Sequence, residues 1–422
     1  MYNKTKYGSG QKGWSRRKEL FHSAFFRCFR ENKIKKVGFL PMEQKKILYA
    51  ATVVKTHIMQ FHVPYLNMLK DMGWETAVAA KNDYEDPADC VIPGCDTYYD
   101  IPFDRLPWKA ANIRAYRQLK AVLEENHYDI VHCHTPVGAM VTRLAAAHSR
   151  KQGTKVVYTA HGFHFFKGAP LINWLLYYPA EWLLGPLTDV LVTINQEDYR
   201  FAKKHIHAKK VVYIPGVGID TANFLPDAQI RVDKRRELGL GEDDFVILTV
   251  AEMTKNKNHA TVLRALAQLK GTPEFSKLRY LICGRGAERE NLEALTEELG
   301  LTDHVRFLGY RQDAPDLYRA SDLFAFMSFR EGLPVALMEA MSSGLPVVCA
   351  RIRGNTDLVE DGVSGIFSEN TPQAVAENFL ALQRDPELRQ RLGRAASRAM
   401  SRYDAKTIHG EMKQIYSELM EQ

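Results

Sequence analysis

The feature that most constrains the fold is an alternation of short apolar runs with amphipathic stretches, which begins at Lys46 and continues almost to the end of the chain. Apolar runs of strand length that are bounded by turn residues indicate buried strands, and the stretches between them have helical spacing. Such alternation predicts a parallel sheet with helices on both faces and ligands at the carboxyl ends of the strands. The expected fold class is α/β.

The alternation occurs in two sets. The first set contains the predicted strands Ile47–Val54, Thr76–Ala80, Ile130–His132, Val156–Thr159, Val190–Ile194 and Val211–Ile214. After a break at 216–220 and a polar stretch, the second set contains Phe245–Val250, Leu278–Cys283, Val305–Phe307, Leu323–Phe326, Val347–Ala350 and Gly365–Phe367. A chain of 422 residues is long enough for two domains with full cores. We therefore expect two Rossmann-like domains that face a cleft.

Charge is concentrated at the start of the chain. Residues 1–41 hold eleven Lys or Arg against two Glu, a net charge of +9, whereas the whole chain carries +7. The basicity therefore belongs to an extension, and it does not indicate a nucleic-acid-binding fold. Apolar residues at helical spacing in this extension, from Leu20 to Phe29, form a pattern that suits an anionic membrane surface. The alternative is that the protein starts at Met42.

These observations predict four segments. Residues 1–41 are a basic extension that is either disordered or not translated, and residues 42–218 form the N-terminal domain. Residues 219–400 form the C-terminal domain, and residues 401–422 are a terminal helix. Six scattered cysteines show neither a disulfide framework nor metal-ligand spacing, as in a reducing cytosol. No uncharged apolar run approaches ~20 residues, so we expect a cytoplasmic protein without a transmembrane helix or signal peptide.

The stretch from Ser328 to Ala350 predicts a binding site. It follows one apolar strand and ends in another, so Glu331–Ser343 should be a loop and a helix, with Pro334 at the first helical position and Gly344 just past the end. A helix N-terminus offers free backbone N–H groups and the positive end of a dipole to an anion. Glu339 stands among apolar neighbours, and a buried Glu needs hydrogen-bond donors such as the vicinal hydroxyls of a ribose or sugar. A solvated helix face is the alternative for this residue.

The motif Arg-Glu-Gly-Leu-Pro-(4)-Glu-Ala-Met-(2)-Gly-Leu-Pro-Val-Val at 330–348, followed by Gly354–Gly365, resembles the donor-site signature of the retaining family 4 glycosyltransferases. The resemblance implies the GT-B architecture, with a last helix (Ile408–Met420) that crosses back to the first domain. It also implies that Glu339 binds the ribose of a nucleotide sugar and that Glu331 lies at the donor hexose. The loop amides that contact the sugar and phosphate would belong to Gly332 and Leu333. The helix N-terminus formed by Gly332, Leu333, Pro334 and Val335 would hold the diphosphate.

Histidines follow the strands of the first domain. His161 comes directly after a predicted strand, and the resemblance implies that it binds the donor sugar and supports the transition state. His132 and His134 alternate on a strand, so both side chains lie on one face, but no third ligand at fixed spacing supports a metal site. We expect this pair to line the cleft. His57 and His62 join His134 as acceptor-side candidates.

The cations that would neutralise the donor diphosphate are incomplete. Lys257 stands where similar family members have a Lys, but Glu252 occupies the position of their Arg, and Lys255 or Arg285 would have to compensate. Gly284 and Arg285 follow a strand in a turn that permits close ligand approach, although the full Gly-x-Gly-x-x-Gly fingerprint is missing. No Asp-x-Asp occurs in the chain, which favours catalysis without a metal ion or other cofactor.

The predicted function is transfer of a hexose or N-acetylhexosamine from a UDP-sugar to a hydroxyl acceptor. Resemblance of residues 129–168 to bacterial exopolysaccharide and capsule enzymes implies a lipid-linked or growing glycan acceptor at the inner face of the cytoplasmic membrane, with peripheral membrane association and no nucleic acid. Two alternatives remain: a nucleotide-sugar 2-epimerase of the same architecture, and a non-catalytic scaffold in a polysaccharide assembly complex. Glu252 is the best argument for the scaffold.

Overall fold

The structure, a computed structural model, describes residues 44–421. The predictions for residues 1–41 lie outside this range. Lys45 to the C-terminus forms one compact unit, and it contains two parallel sheets.

The first sheet has seven strands in the order β3-β2-β1-β4-β5-β6-β7. Its strands are β1 (Lys46–Val53), β2 (Glu75–Lys81), β3 (Thr97–Asp100), β4 (Ile130–His134), β5 (Lys155–Ala160), β6 (Val190–Thr193) and β7 (Lys210–Tyr213). Six of them match predicted strands within three residues at each end. The edge strand β3 was missed because it is short and only partly buried, so its side chains make no continuous apolar run.

The second sheet has six strands in the order β10-β9-β8-β11-β12-β13. Its strands are β8 (Phe245–Val250), β9 (Leu278–Cys283), β10 (Val305–Gly309), β11 (Leu323–Phe326), β12 (Val347–Ala350) and β13 (Ile366–Ser368). All six were predicted. Four of them, β8, β9, β11 and β12, are almost entirely buried apolar runs, which give a strong signal.

Helices cover both faces of each sheet. Those of seven or more residues are α1 (Val63–Asp71), α2 (Ala111–Glu125), α3 (Pro136–Ala145), α4 (Leu171–Leu184), α5 (Gln196–His205), α6 (Ala228–Glu237), α7 (His259–Gln268), α8 (Arg289–Glu298), α9 (Ala314–Ala320), α10 (Val335–Ser342), α11 (Pro372–Arg384), α12 (Pro386–Ala399) and α13 (Ala405–Met420). Short turns at Met59–Phe61, Ala147–Arg150 and Asn355–Leu358 are also α-helical. Among the described residues, no helix is both long and apolar enough to cross a bilayer.

Helix α1 begins at Val63, after a π-helical turn at Val54–Ile58, and Pro64 occupies its first turn, where a missing N–H is tolerated. The start of α10 differs from the prediction. Pro334 is the N-cap of α10 and not its first helical residue, because its ψ of 117° is extended. Gly344 has a φ of +73° and ends α10 as predicted.

The last helix, α13, packs against the first domain. Its buried side chains Ile408, Met412, Ile415, Tyr416 and Leu419 belong to the same apolar cluster as the inner face of β1 and helix α1. The chain thus forms the first sheet, then the second, and finally returns to the first. The point where strand order reverses lies between β1 and β4 in one sheet and between β8 and β11 in the other. In open parallel sheets these points hold the ligand.

Candidate active site

A cleft of about 540 Å³ lies where the two switch points face each other. A volume of this size suits a small-molecule ligand. The first domain contributes the residues after β1, β5, β6 and β7, and the second contributes those after β8 and β11 and the first turns of α10. The lining residues used below are His57, His161, Lys257, Glu331, Gly332, Leu333, Pro334, Val335 and Glu339.

An ion pair lies in the cleft on the side of the second domain. The Lys257 Nζ lies 2.7 Å from the Glu331 Oε1, and both side chains are mostly buried. Lys257 also lies over the ring of Phe326, 5.1 Å from its centroid. Lys257 comes from a 3₁₀ turn after β8, and Glu331 from the loop after β11, so two adjacent strands position the pair. Sequence analysis predicted that both residues lie near the donor, but it did not predict their direct contact.

The N-terminus of α10 opens onto the cleft through Gly332, Leu333, Pro334 and Val335. Gly332 also allows the two domains to approach each other. A Cβ at this position would lie 2.4 Å from the carbonyl oxygen of His161 and thus clash with the first domain. The glycine predicted for close ligand approach therefore serves a close approach of two backbones as well.

Glu339 lies one turn further along α10, partly buried, and has one protein donor. The Tyr318 hydroxyl, from α9, donates to the Glu339 Oε2 over 2.8 Å. Burial raises the pKa of Glu339, and this hydrogen bond acts in the opposite direction. Glu339 lines the cleft and its Oε1 has no protein donor among the described contacts, so the carboxylate retains acceptor capacity for hydroxyl groups. Tyr318 was missed because it stands on a separate helix with no motif of its own.

His161 follows β5 and faces the same cleft from the first domain. Its Nε2 lies 3.3 Å from the Nδ1 of His134, and burial lowers its pKa to about 4. His57 lines the cleft beside it, whereas His62 and His134 lie behind, around a small cavity. Burial lowers the pKa of His57, His62 and His134 well below the usual value, and the neighbouring imidazoles add to the effect. These rings are therefore neutral at pH 7.

His132 and His134 do share one face of β4, as the alternation requires, with ring centroids 4.2 Å apart. Contrary to the expectation, neither lines the cleft. His132 is held between the hydroxyls of Tyr416 and Thr159, at 2.7 and 2.8 Å. The return of α13 to the first domain brings Tyr416 into contact with this ring. The two residues are 284 positions apart, so the alternation of side chains on β4 does not predict the contact.

Lys257 is the only Lys or Arg among the described residues that line the cleft. Lys255, Arg285 and Glu252 are all exposed and lie outside this lining. Arg285 instead packs over the ring of Tyr310, and a Cβ on Gly284 would lie 1.9 Å from the Ala251 carbonyl oxygen. In this structure the Gly284–Arg285 turn supports the loop after β8 and does not itself reach the cleft.

A second pocket of about 260 Å³ lies in the first domain and shares His57 with the cleft. Its wall includes Thr135, whose φ of +63° is strained for a residue other than glycine and whose Oγ1 lies 2.6 Å from that of Thr52. Arg105 and the α4 residue Tyr177 also line this pocket. The pocket therefore adjoins both the reaction cleft and helix α4.

Comparisons with known proteins agree with this architecture. The family model "Glycosyltransferase Family 4" matches residues 65–223, and "Glycosyl transferases group 1" matches residues 231–399. The putative glycosyltransferase EpsD of Bacillus subtilis (strain 168) is 40% identical over 381 residues, which cover 89% of this chain and 97% of that protein. The chain belongs to glycosyltransferase family 4.

Two further proteins are similar to this family 4 chain. An Escherichia coli enzyme named UDP-Gal:alpha-D-GlcNAc-diphosphoundecaprenol alpha-1,3-galactosyltransferase is 29% identical over 63% of this chain and 70% of its own length. The crystal structure of HepE of Anabaena in complex with UDP aligns with a TM-score of 0.72 at 21% identity, over 89% of this chain and 100% of that one. The latter likeness establishes the GT-B fold. The protein is thus a GT-B glycosyltransferase.

The family 4 chain holds its two domains together with contacts that the sequence did not reveal. The Arg353 guanidinium, after β12, donates from Nη1 to Asp198 Oδ1 over 2.8 Å and to the Phe163 carbonyl over 3.1 Å. The Gln196 backbone N–H donates to the Asp357 Oδ1 over 2.9 Å. Asp198 and Gln196 lie in the first turn of α5, so the N-terminus of that helix is the first domain's docking point for the second.

Proposed function

We propose that this glycosyltransferase moves a hexose or N-acetylhexosamine from a UDP-sugar, with retention of anomeric configuration, to a lipid-linked or growing glycan in the synthesis of an exopolysaccharide or another cell-envelope polysaccharide. The observation that carries the proposal is the convergence of Lys257, Glu331, the α10 N-terminus and Glu339 in one cleft. The UDP complex of HepE and the UDP-galactose donor named for the Escherichia coli relative support UDP as the nucleotide.

Donor binding follows from the order of these groups along α10. Glu339 accepts hydrogen bonds from the ribose hydroxyls, while Tyr318 holds its other oxygen. Lys257 and the backbone N–H groups of Gly332, Leu333 and Val335 hold the diphosphate at the start of α10, where the helix dipole favours negative charge. Glu331, held by Lys257, accepts from a hydroxyl of the sugar. Because Glu252 stands where similar family members have an Arg, the α10 N-terminus contributes more to diphosphate binding here than in members with two cations.

Transfer needs no protein nucleophile. The bond between the sugar C1 and the diphosphate oxygen breaks, its electron pair leaves with UDP, and the acceptor oxygen bonds to C1 from the same face. The acceptor proton passes to the departing phosphate oxygen. Lys257 and the α10 amides stabilise the charge that grows on UDP, which is the dominant electrostatic demand of the reaction. Closure of the domains excludes water and limits hydrolysis.

The acceptor enters through the pocket of about 260 Å³ in the first domain, because this pocket shares His57 with the cleft. Arg105 on its wall suits the diphosphate of a lipid carrier, and the Escherichia coli relative is named for a diphosphoundecaprenol acceptor.

Helix α4 supports peripheral membrane association. Its exposed side chains are apolar, namely Leu171, Ile172, Leu175, Leu176, Trp182 and Leu183. Its single charged residue, Glu181, is buried and paired with Arg143 at 2.8 Å. Lys203 and Lys204 on the adjacent α5 are exposed and attract anionic headgroups. An apolar patch of this size on a helix next to the acceptor pocket suits insertion into one leaflet.

The experiment is UDP release from a panel of UDP-sugars, with and without membrane lipid extract, comparing the wild type with Glu331→Ala. We expect one UDP-sugar to give extract-stimulated release that the variant loses. Release without extract together with a changed sugar in solution would indicate the epimerase. Absence of release, together with absence of UDP binding in calorimetry, would refute the UDP-sugar proposal.

Membrane association is tested by flotation with anionic vesicles. Leu175→Glu together with Leu183→Glu should abolish flotation while release of UDP to a water-soluble acceptor persists. The matched control Leu225→Glu changes an exposed leucine outside α4. Equal flotation of all three proteins would show that α4 is not the membrane surface.

A further inference from the structure

Four imidazoles from separate segments converge at the first-domain wall of the cleft. His57 lies in the π-helical turn Val54–Ile58, His62 just before α1, His134 at the end of β4, and His161 after β5. One ring nitrogen from each lies within 4.8 Å of the corresponding nitrogens of the other three. Short π-helical segments are rare and often mark functional sites.

Two of the six separations between these nitrogens match the edge of a metal coordination sphere. His57 Nε2 and His62 Nε2 are 3.2 Å apart, and His134 Nδ1 and His161 Nε2 are 3.3 Å apart. A tetrahedron with metal–nitrogen bonds of about 2.0–2.1 Å has edges of about 3.3–3.4 Å. The six separations between ring centroids range from 3.9 to 6.0 Å. Rings that point radially at one ion would have centroids about 5 Å apart.

We propose that His57, His62, His134 and His161 form a binding site for a Zn²⁺ ion. Imidazole is a borderline ligand that suits zinc and other late first-row divalent ions, and four nitrogens in a tetrahedron favour Zn²⁺. His62 and His134 are almost fully buried, and small inward movements of the partly exposed His57 and His161 would close the longer edges.

The site ties together three parts of the first domain. It joins the π-helical turn after β1 to the ends of β4 and β5, which form the acceptor side of the switch point. Bound Zn²⁺ would place two positive charges on the wall of a cleft whose lining otherwise has Lys257 as its single Lys or Arg among the described residues. It would also engage the Nε2 of His161, so this nitrogen serves either the ion or a bound sugar at any one time.

The alternative is a metal-free stack in which each close pair shares one N–H···N hydrogen bond. The outer nitrogens His62 Nδ1 and His134 Nε2 are buried and have no hydrogen-bond partner in the described chain. Zinc-ligating histidines usually donate from that nitrogen to a carboxylate or carbonyl, which raises affinity. We therefore expect Zn²⁺ to bind about 10–100-fold more weakly than in sites with such partners.

The test uses full-length protein without a polyhistidine tag. Zn²⁺ affinity and stoichiometry are measured by competition with a chromogenic chelator, and Co²⁺ serves as a spectroscopic probe. We expect one ion per chain and the intense visible absorption of tetrahedral Co²⁺. Substitution His57→Ala or His161→Gln should weaken Zn²⁺ binding at least about tenfold and remove the tetrahedral spectrum. Both residues are partly exposed, so these variants should fold, which circular dichroism checks.

The matched control is His127→Ala, which removes an exposed histidine outside the cluster and should leave binding unchanged. Absence of stoichiometric binding, an octahedral Co²⁺ spectrum, or undiminished binding in folded His57→Ala and His161→Gln would each overturn the proposal. Metal binding is read without any sugar donor, so its outcome is independent of whether the proposed transferase reaction is correct.

Discussion

Lys257 is the residue on which the proposed donor chemistry most depends. It is held against Glu331 and Phe326, and no other Lys or Arg lines the cleft among the described residues. Removing Lys257 therefore removes the only side-chain cation that stabilises the leaving diphosphate. We expect Lys257→Met to lower kcat/KM about 10²–10³-fold, the range measured for loss of one preorganised electrostatic contact. The measurement is the initial rate of UDP release with the UDP-sugar that the panel experiment identifies as the donor.

Lys255 gives the matched control, since it lies two residues earlier in the same 3₁₀ turn but is exposed and outside the cleft. Lys255→Met should change kcat/KM less than about threefold, because exposed charges are screened by solvent. Equal losses in the two variants would mean that general positive charge, and not contact with the diphosphate, is what matters.

His259 is expected to make the protein sensitive to acid. It is buried at the first residue of α7, with its Nε2 3.3 Å from the Glu252 carbonyl oxygen, and burial lowers its pKa to about 4. A histidine with a lowered pKa binds protons more weakly when folded, so protonation favours unfolding. Its contribution to stability is present above the unfolded pKa of about 6.5 and is lost as the pH falls towards 4.

Protonation of His259 lowers the free energy of unfolding by at most about 3 kcal/mol, since each pKa unit corresponds to about 1.4 kcal/mol. We expect Tm to fall less steeply between pH 6.5 and 4 in His259→Gln than in the wild type. The exposed His127→Gln should follow the wild-type curve. Parallel curves for His259→Gln and the wild type would show that this ring does not titrate on unfolding.

At the scale of elements, α13 is joined to the first sheet by a buried polar chain. The Tyr416 hydroxyl lies 2.5 Å from that of Tyr49 and 2.7 Å from His132 Nδ1, and all three side chains are buried. Tyr416→Phe leaves two buried polar groups without this partner, so we expect a loss of about 1–3 kcal/mol in the free energy of unfolding. Urea denaturation measures it.

The same helix offers a control on its exposed side. Glu418 pairs with Lys210 of β7 at 2.7 Å, and both side chains are largely in solvent. Glu418→Gln should therefore change the free energy of unfolding by less than about 0.5 kcal/mol. If Glu418→Gln cost as much as Tyr416→Phe, the attachment of α13 would rest on surface charge and not on its buried face.

At the scale of the whole molecule, the contact of Arg353 with Asp198 and the Phe163 carbonyl holds the domains together. Both ionic side chains are nearly inaccessible to solvent, at 6% and 2%. Removing one partner from a buried ion pair leaves an uncompensated charge, so Arg353→Met should shift the domains towards an open arrangement. We expect a larger radius of gyration in small-angle X-ray scattering and a roughly tenfold weaker apparent donor affinity, since affinity scales with the closed fraction.

Arg351→Met is the control, because Arg351 lies two residues away and contacts only the second domain, through an exposed ion pair with Asp361 and the ring of Phe367. It should leave the radius of gyration unchanged. Donor should restore the compact form of Arg353→Met at saturation. A compact Arg353→Met protein without donor would show that other contacts determine closure.

The sequence alone determined the architecture and much of the donor side. Twelve of the thirteen strands were predicted, because buried parallel strands are continuous apolar runs whose signal is local. Glu331, Gly332, Lys257 and Glu339 were predicted at the site from the family 4 donor-site motif and its resemblance to similar enzymes. The fold explains why they converge: Lys257 follows β8, Glu331 and Gly332 follow the neighbouring strand β11, and Glu339 lies on α10, which begins there.

Only the tertiary structure decided the partners of these residues. Tyr318 reaches Glu339 from another helix, and Tyr416 reaches His132 across 284 residues. The four histidines of the proposed zinc site come from a π-helical turn, the N-cap of α1, the end of β4 and the residue after β5, so no regular ligand spacing along the chain reveals them as one site. Contacts between side chains distant in sequence depend on how elements pack, and packing is decided by the whole fold. Periodicity determines what each element buries, but it does not determine which side chain it meets.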